Sequence, residues 1–130
     1  MILKSLVILV ILLIVPALIF AQGGKAEPKR IEFPKGKSSA LLAASLSNGS
    51  EMEYVFAASK GQKVTIKNTK TGLFDFRVFN PEFDFETEFE SSPQLTFEIP
   101  ETGDYFLFVR KKMAAKPRTA RFSISLTIKS

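Results

Sequence analysis

The sequence predicts an all-β chain, an antiparallel and jelly-roll-like β-sandwich of about eight or nine strands. Three observations predict it. Apolar residues recur with a period of two in separate stretches: Phe74, Phe76 and Val78; Leu95, Phe97 and Ile99; Phe122, Ile124, Leu126 and Ile128. That period places alternate side chains on one face of a strand. Turn signals rich in Gly, Pro, Asn and Ser separate these stretches at intervals of roughly 8 to 12 residues, the spacing of a sandwich. Thirteen residues are Phe, twelve of them beyond residue 23, and they supply the bulk of one core.

The N-terminal segment stands apart from that domain. Lys4 precedes an almost unbroken apolar run over residues 6–20, and Ala21-Gln22-Gly23-Gly24 follows it. A positive start, an apolar centre and small residues describe a secretory signal peptide and its signal helix. Residues 1–23 are read as that peptide, with cleavage after Ala21 or after Gly23. An uncleaved membrane anchor is the other reading, and the run is short of the roughly 20 residues that spanning takes. No Cys follows it, so a lipid cannot be attached through a lipobox.

Residues 24–29, with Pro28, are a polar linker, and 30–130 the sandwich domain. Residues 30–33 alternate and are read as the first strand; Pro34-Lys35-Gly36-Lys37 turns. Residues 39–46 are rich in Ala but end at Asn48-Gly49, so they are read as a strand. Asn-Gly is a strong hairpin signal, and residues 52–57 are taken as the hairpin partner, with Met52, Tyr54 and Phe56 on one face. Asn48-Gly49-Ser50 is also a glycosylation sequon, relevant only in a eukaryotic host. After the turn at Ser59-Lys60-Gly61-Gln62, residues 63–67 point Val64 and Ile66 inward. Residues 69–72 turn again before Phe74, Phe76 and Val78. Beyond Asn80-Pro81, Phe83, Phe85, Thr87 and Phe89 alternate with Asp84, Glu86, Glu88 and Glu90. That stretch reads as a strand with a carboxylate face. Residues 95–99 form another strand, closed by Pro100, and residues 122–128 the last.

The stretch 101–121 organises the remainder. It opens with the turn Glu101-Thr102-Gly103-Asp104 and continues as the apolar run Tyr105-Phe106-Leu107-Phe108-Val109. It ends in a basic segment of Arg110, Lys111, Lys112, Lys116, Arg118 and Arg121. Pro117 interrupts that segment, which is therefore a loop between two strands. A rigid strand with a turn at one end and a charged loop at the other suits a binding surface; a hairpin with a solvated basic loop is the plainer alternative.

Composition narrows the function. The chain has no His and no Cys, hence no Ser-His-Asp triad, no Cys nucleophile and no ordinary zinc ligand set. Catalysis would rest on carboxylates or Lys. Lacking Trp, with only Tyr54 and Tyr105 as polar aromatics, it supplies a poor sugar-stacking platform. An exported chain without Cys also has no disulfide and must be held by its core. The row Asp84, Glu86, Glu88 and Glu90 is straight, whereas a calcium site wraps its ligands through a loop; a solvated outer face that discourages edge pairing is the reading adopted. Charge is segregated: nine acidic residues lie from Asp75 to Asp104 against Arg77 alone, and seven basic residues with no acidic one lie from Tyr105 onwards. The basic segment either faces the acidic strand or meets an anionic partner. It lacks the interleaved aromatics of a nucleic-acid site. No cofactor and no nucleic acid is expected, and the membrane is met only through the N-terminal segment. The chain is read as a binding protein and not an enzyme.

Three blocks carry a resemblance. The stretch from Ile31-Glu32-Phe33-Pro34-Lys35-Gly36 through Ala40 resembles the opening of the periplasmic inhibitors of g-type lysozyme. The stretch from Tyr54-Val55-Phe56-Ala57-Ala58 through Val64 resembles their second block. Thr102-Gly103-Asp104-Tyr105 is similar to the Ser-Gly-x-Tyr loop shared by inhibitors of g- and i-type lysozymes. The same blocks occur in the wider pre-peptidase C-terminal (PPC)-like sandwich group, where the Gly-Asp-Tyr element is a corner with its Tyr in the core. The resemblance implies a periplasmic or secreted inhibitor that occludes an acidic lysozyme cleft. It implies partner-binding residues Thr102, Gly103, Asp104 and Tyr105 in the turn, and Lys111, Lys112, Lys116, Arg118 and Arg121 in the basic loop. The family's Arg-Asn-x-Ala-Arg loop corresponds to Lys112-Met113-Ala114-Ala115-Lys116, so Lys replaces the forked Arg and Met113 replaces Asn. The alternative is a non-catalytic PPC-like module that binds an envelope protein or polysaccharide.

Overall fold

The computed structural model describes residues 28–130. The segment read as a signal helix, and most of the linker, lie outside them. Nine strands follow in order: β1 (Lys29–Arg30), β2 (Ser39–Ser47), β3 (Glu51–Ala58), β4 (Lys63–Asn68), β5 (Phe74–Asn80), β6 (Phe85–Glu86), β7 (Gln94–Glu98), β8 (Gly103–Lys111) and β9 (Thr119–Lys129). They form two facing sheets, β1-β3-β8-β5-β6 and β2-β9-β4-β7. Every pairing is antiparallel except that of β1 with β3. The expected sandwich and strand count are therefore present.

The core lies where the period-two pattern put it. Phe74, Phe76 and Val78 of β5, Val64 and Ile66 of β4, and Phe122, Ile124 and Leu126 of β9 are fully buried. Aromatic rings join the sheets: Phe122 of β9 packs edge-on against Phe74, 5.6 Å between centroids, and against Tyr54, at 6.4 Å. Phe85 bridges Tyr105 and Phe97 at 5.6 and 5.5 Å. Fully burying one such side chain contributes about 1.5–3 kcal/mol, and a domain without disulfides depends on this sum.

Three local readings are corrected. Asn48-Gly49 does not close a hairpin: β2 pairs with β9, and β3 pairs with β8 in the other sheet. The turn is an arch between sheets. Its amides bond across to another loop, Asn48 N–H to the Arg118 carbonyl at 2.8 Å and Gly49 N–H to the Lys111 carbonyl at 3.1 Å. The loop from β8 to β9 likewise crosses between sheets, so the hairpin alternative fails there too. Both strands of each pair bury one apolar face, and such patterning is the same whether neighbours share a sheet or oppose one another.

The third correction concerns residues 83–89. Only Phe85–Glu86 is regular strand, because Asp84 has φ of 54° and sits in the turn after β5. Phe79 pairs with Glu86 but Phe76 with Glu90, so three residues of the edge segment face two of β5. That is a β-bulge, a common way to end pairing at an edge. Alternating burial persists from Phe85 to Phe89, whereas Phe83, read as part of the same inward row, lies in the turn and is exposed.

Candidate functional site

β8 is central in its sheet, flanked by β3 and β5, and it carries the turn at one end and the basic loop at the other. Its nine residues make eight steps of about 3.4 Å, so the two ends lie about 27 Å apart. The sequence residues offered as one surface are thus divided. Thr102, Gly103, Asp104 and Tyr105 lie at the end where β3 finishes, and Lys111, Lys112, Lys116, Arg118 and Arg121 at the end where β2, β4 and β8 finish.

The charges of the turn end are largely paired. Tyr105 is fully buried and stacks on Phe56 at 5.9 Å. Its hydroxyl donates to the Glu101 carbonyl at 2.6 Å and accepts from Glu101 N–H at 3.3 Å. Tyr105 is therefore a corner residue of the core and offers no side chain to a partner. Gly103 opposes Ala58 in the ladder, and a Cβ there would meet Phe83 at 2.9 Å. Thr102 accepts from Lys60 N–H through its hydroxyl at 2.9 Å. Asp104 pairs with Arg30 at 2.8 Å, and that hydrogen bond raises the guanidinium above its already high ordinary pKa. Lys60 lies 3.9 Å from Glu101. Both pairs are exposed and contribute little to stability.

The basic end is different. Lys112, Lys116, Arg118 and Arg121 form no ion pair within 4.0 Å among the described residues; the ion pairs there are Arg30–Asp104, Lys60–Glu101, Arg77–Glu86 and Arg110–Asp75. Lys116, Arg118 and Arg121 are exposed. Lys112 is half-buried, and its ammonium donates to the Thr71 carbonyl at 2.9 Å while its N–H reaches the Leu73 carbonyl at 2.9 Å. Met113 is 74% exposed at the tip, with its side chain 3.6–3.9 Å from where a Gly49 Cβ would lie. Gly49 has φ of 76°, a conformation that suits Gly. The Lys116–Pro117 peptide is cis.

Lys111 is a correction to the expected surface. It is fully buried, its ammonium donating to Asn48 Oδ1 at 3.0 Å and to the carbonyls of Lys112 and Ala115 at 3.1 and 2.6 Å. Residues the sequence did not single out for the site, Asn48, Gly49 and the 70–73 turn, are the bed on which the loop lies. The Asn48-Gly49 turn signal was visible; that it docks on a loop more than 60 residues away was not. Beside the loop, Gly49, Glu51, Asp75, Arg110, Lys112 and Met113 line an open depression of about 560 Å³. Asp75 there is held by Arg110 at 2.9 Å, and Arg110 lies over the Phe89 ring at 3.6 Å.

The described residues thus form a disulfide-free sandwich with a docked loop whose cations Lys116, Arg118 and Arg121 are exposed and whose tip, Met113, is apolar. No family model matches the sequence. It is 31% identical over 106 residues to the inhibitor of g-type lysozyme of Escherichia coli K12, covering 76% of this chain and 79% of that one. Its structure is similar to that of a mutant of PliG-Ec, a periplasmic lysozyme inhibitor of g-type lysozyme from Escherichia coli. The TM-score is 0.64 at 28% identity over 81% of this chain and all of that one. The pre-peptidase C-terminal domain of a Bacillus anthracis collagenase shares the fold, with a TM-score of 0.53 at 15% identity over 83% of this chain and all of that domain. The chain belongs to the family of inhibitors of g-type lysozyme.

Proposed function

We propose that this chain is a periplasmic, non-enzymatic inhibitor of g-type lysozyme, and that it acts by occlusion through the basic end of the sandwich. The observation that carries the activity is the 31% identity to the Escherichia coli inhibitor across most of both chains. What supports the choice of surface is the charge state of the two ends. At the turn end, Asp104 and Glu101 face Arg30 and Lys60. At the loop end, Lys116, Arg118 and Arg121 keep their charge free, and Met113 offers apolar area between them and the Asn48 turn. A glycosidase cleft works with carboxylates, so cations held in a shaped loop pair with them and exclude the substrate. No bond is made or broken in this mechanism. Lys112 adds field more than contact, because Thr71 already binds its ammonium. Residues 1–23 direct export in this reading and are removed.

The test is lysis of cell walls by g-, i- and c-type lysozymes, each with the purified protein, at low and moderate salt. The expected result is block of the g-type enzyme near equimolar ratio, weakening as salt screens the loop charges over roughly 8–10 Å. Absence of any block would overturn the activity. Block unaffected by reversing Lys116 and Arg118 would overturn the surface.

A further inference from the structure

Lys111 is a lysine that a sandwich core does not need. Burying an ammonium is costly unless it is fully bonded, and an apolar residue of similar length is often as good or better for stability. Its three donors find three neutral oxygens, and no carboxylate lies within ion-pair distance among the described residues. Those oxygens belong to two different segments. Asn48 Oδ1 comes from the β2–β3 arch; the Lys112 and Ala115 carbonyls come from the loop that carries Lys116 and Arg118. The Lys111 backbone makes the same join, donating to the Ser50 carbonyl at 3.0 Å and accepting from Gly49 N–H at 3.1 Å. At the far side of the loop the Arg118 carbonyl accepts from Asn48 N–H at 2.8 Å. One ammonium thus fixes the start of the loop, its middle and the arch beneath it.

We infer that Lys111 is a positioning residue: it holds the 112–118 loop and the Asn48 arch as one preformed unit, so that Lys116 and Arg118 are ordered before a partner arrives. This rests on the basic-end reading above. Ordering a loop of seven residues on binding costs conformational entropy, and a loop already ordered avoids that cost. The side chain itself touches no partner.

The experiment uses protein recovered from the periplasm after expression of the full chain. Lys111→Met keeps the length of the side chain and removes its three hydrogen bonds. The first readout needs no lysozyme: amide hydrogen exchange at Asn48, whose acceptor is on the loop, against exchange at Val109 and Ile124 in the core. The expected result is roughly tenfold or greater loss of protection at Asn48 with the core amides unchanged. The second is a cycle of inhibition constants for Lys111→Met, for Lys116→Ala with Arg118→Ala, and for all three changes together. Lys111→Met alone should weaken inhibition by about tenfold and add little once Lys116 and Arg118 are gone, because it acts through them. Unchanged protection at Asn48 overturns the inference. So does lost protection with undiminished inhibition, when the Lys116/Arg118 variant does weaken it. If the Lys116/Arg118 variant inhibits normally, the basic-end reading itself has failed. Should Lys111→Met not fold, Asn48→Ala removes one acceptor from the same ammonium; a several-fold effect in the same direction supports the inference, and none overturns it.

Discussion

Tyr105→Phe separates a core role from a contact role at the turn that the sequence made prominent. The substitution deletes one hydroxyl, which donates to the Glu101 carbonyl at 2.6 Å and accepts from its N–H at 3.3 Å. The ring remains, with its stack on Phe56 and its edge contact with Phe85. Each hydrogen bond has a net worth of about 0.5–1.5 kcal/mol, and the second is long. Glu101 is exposed, so water satisfies the freed groups and no desolvation penalty is added. The expected loss is about 1–2 kcal/mol, or a fall in Tm of about 4–8 °C per kcal/mol for a domain near 100 residues. Urea unfolding followed by far-UV circular dichroism measures it, with an unchanged m-value. Inhibition of g-type lysozyme at 25 °C should equal that of the parent. A variant of parental stability that inhibits poorly would refute the reasoning, because the hydroxyl would then serve a partner.

Other expectations follow from the same geometry. Phe122→Ala removes the ring that links Tyr54 and Phe74 across the sheets, and should cost about 3–5 kcal/mol in the same urea experiment; a loss below 1 kcal/mol would contradict the core described. Burial raises the Tyr54 hydroxyl above its ordinary pKa of 10.0. The folded state then holds its proton more tightly than the unfolded state, so this group's stabilising contribution is complete below about pH 10 and is lost as pH rises beyond it. Denaturation between pH 9 and 12 should therefore show the parent losing stability relative to Tyr54→Phe, and parallel curves would contradict this. Gly49→Ala places a side chain at φ of 76° beneath Met113; it should destabilise the arch by about 1 kcal/mol, measured by thermal unfolding, and weaken inhibition.

Much of this fold was legible because its strands keep strict alternation. Spacing alone points Val64 with Ile66, Phe74 with Phe76, and Phe122 with Ile124 inward, and all six are buried. The pairing was less legible. Asn48-Gly49 has the chemistry of a tight turn, but which strand lies beside β2 is decided by contacts up to 88 residues apart, such as the hydrogen bond shared by Ser39 and Thr127. At the site, charge and sequence blocks grouped Thr102 to Tyr105 with the basic segment without dividing the two ends. The nine-residue strand from Gly103 to Lys111 already places them at opposite ends once it is a single straight strand. Lys111 was invisible as an anchor because a lysine among lysines reads as surface; only the alternation of β8, in which Tyr105, Leu107, Val109 and Lys111 share one inward face, pointed the other way. The periplasmic address read from residues 1–23 agrees with the related structures, which are of periplasmic lysozyme inhibitors.

The location of the inhibitory face is open to one direct measurement. Isotope-labelled protein titrated with g-type lysozyme, and followed by amide chemical shifts and cross-saturation, maps the contact residue by residue. The account predicts a footprint over residues 48–50 and 112–121, with Thr102, Asp104 and Lys60 silent about 27 Å away along β8. A footprint centred on residues 101–104, leaving Lys116 and Arg118 unperturbed, would contradict it.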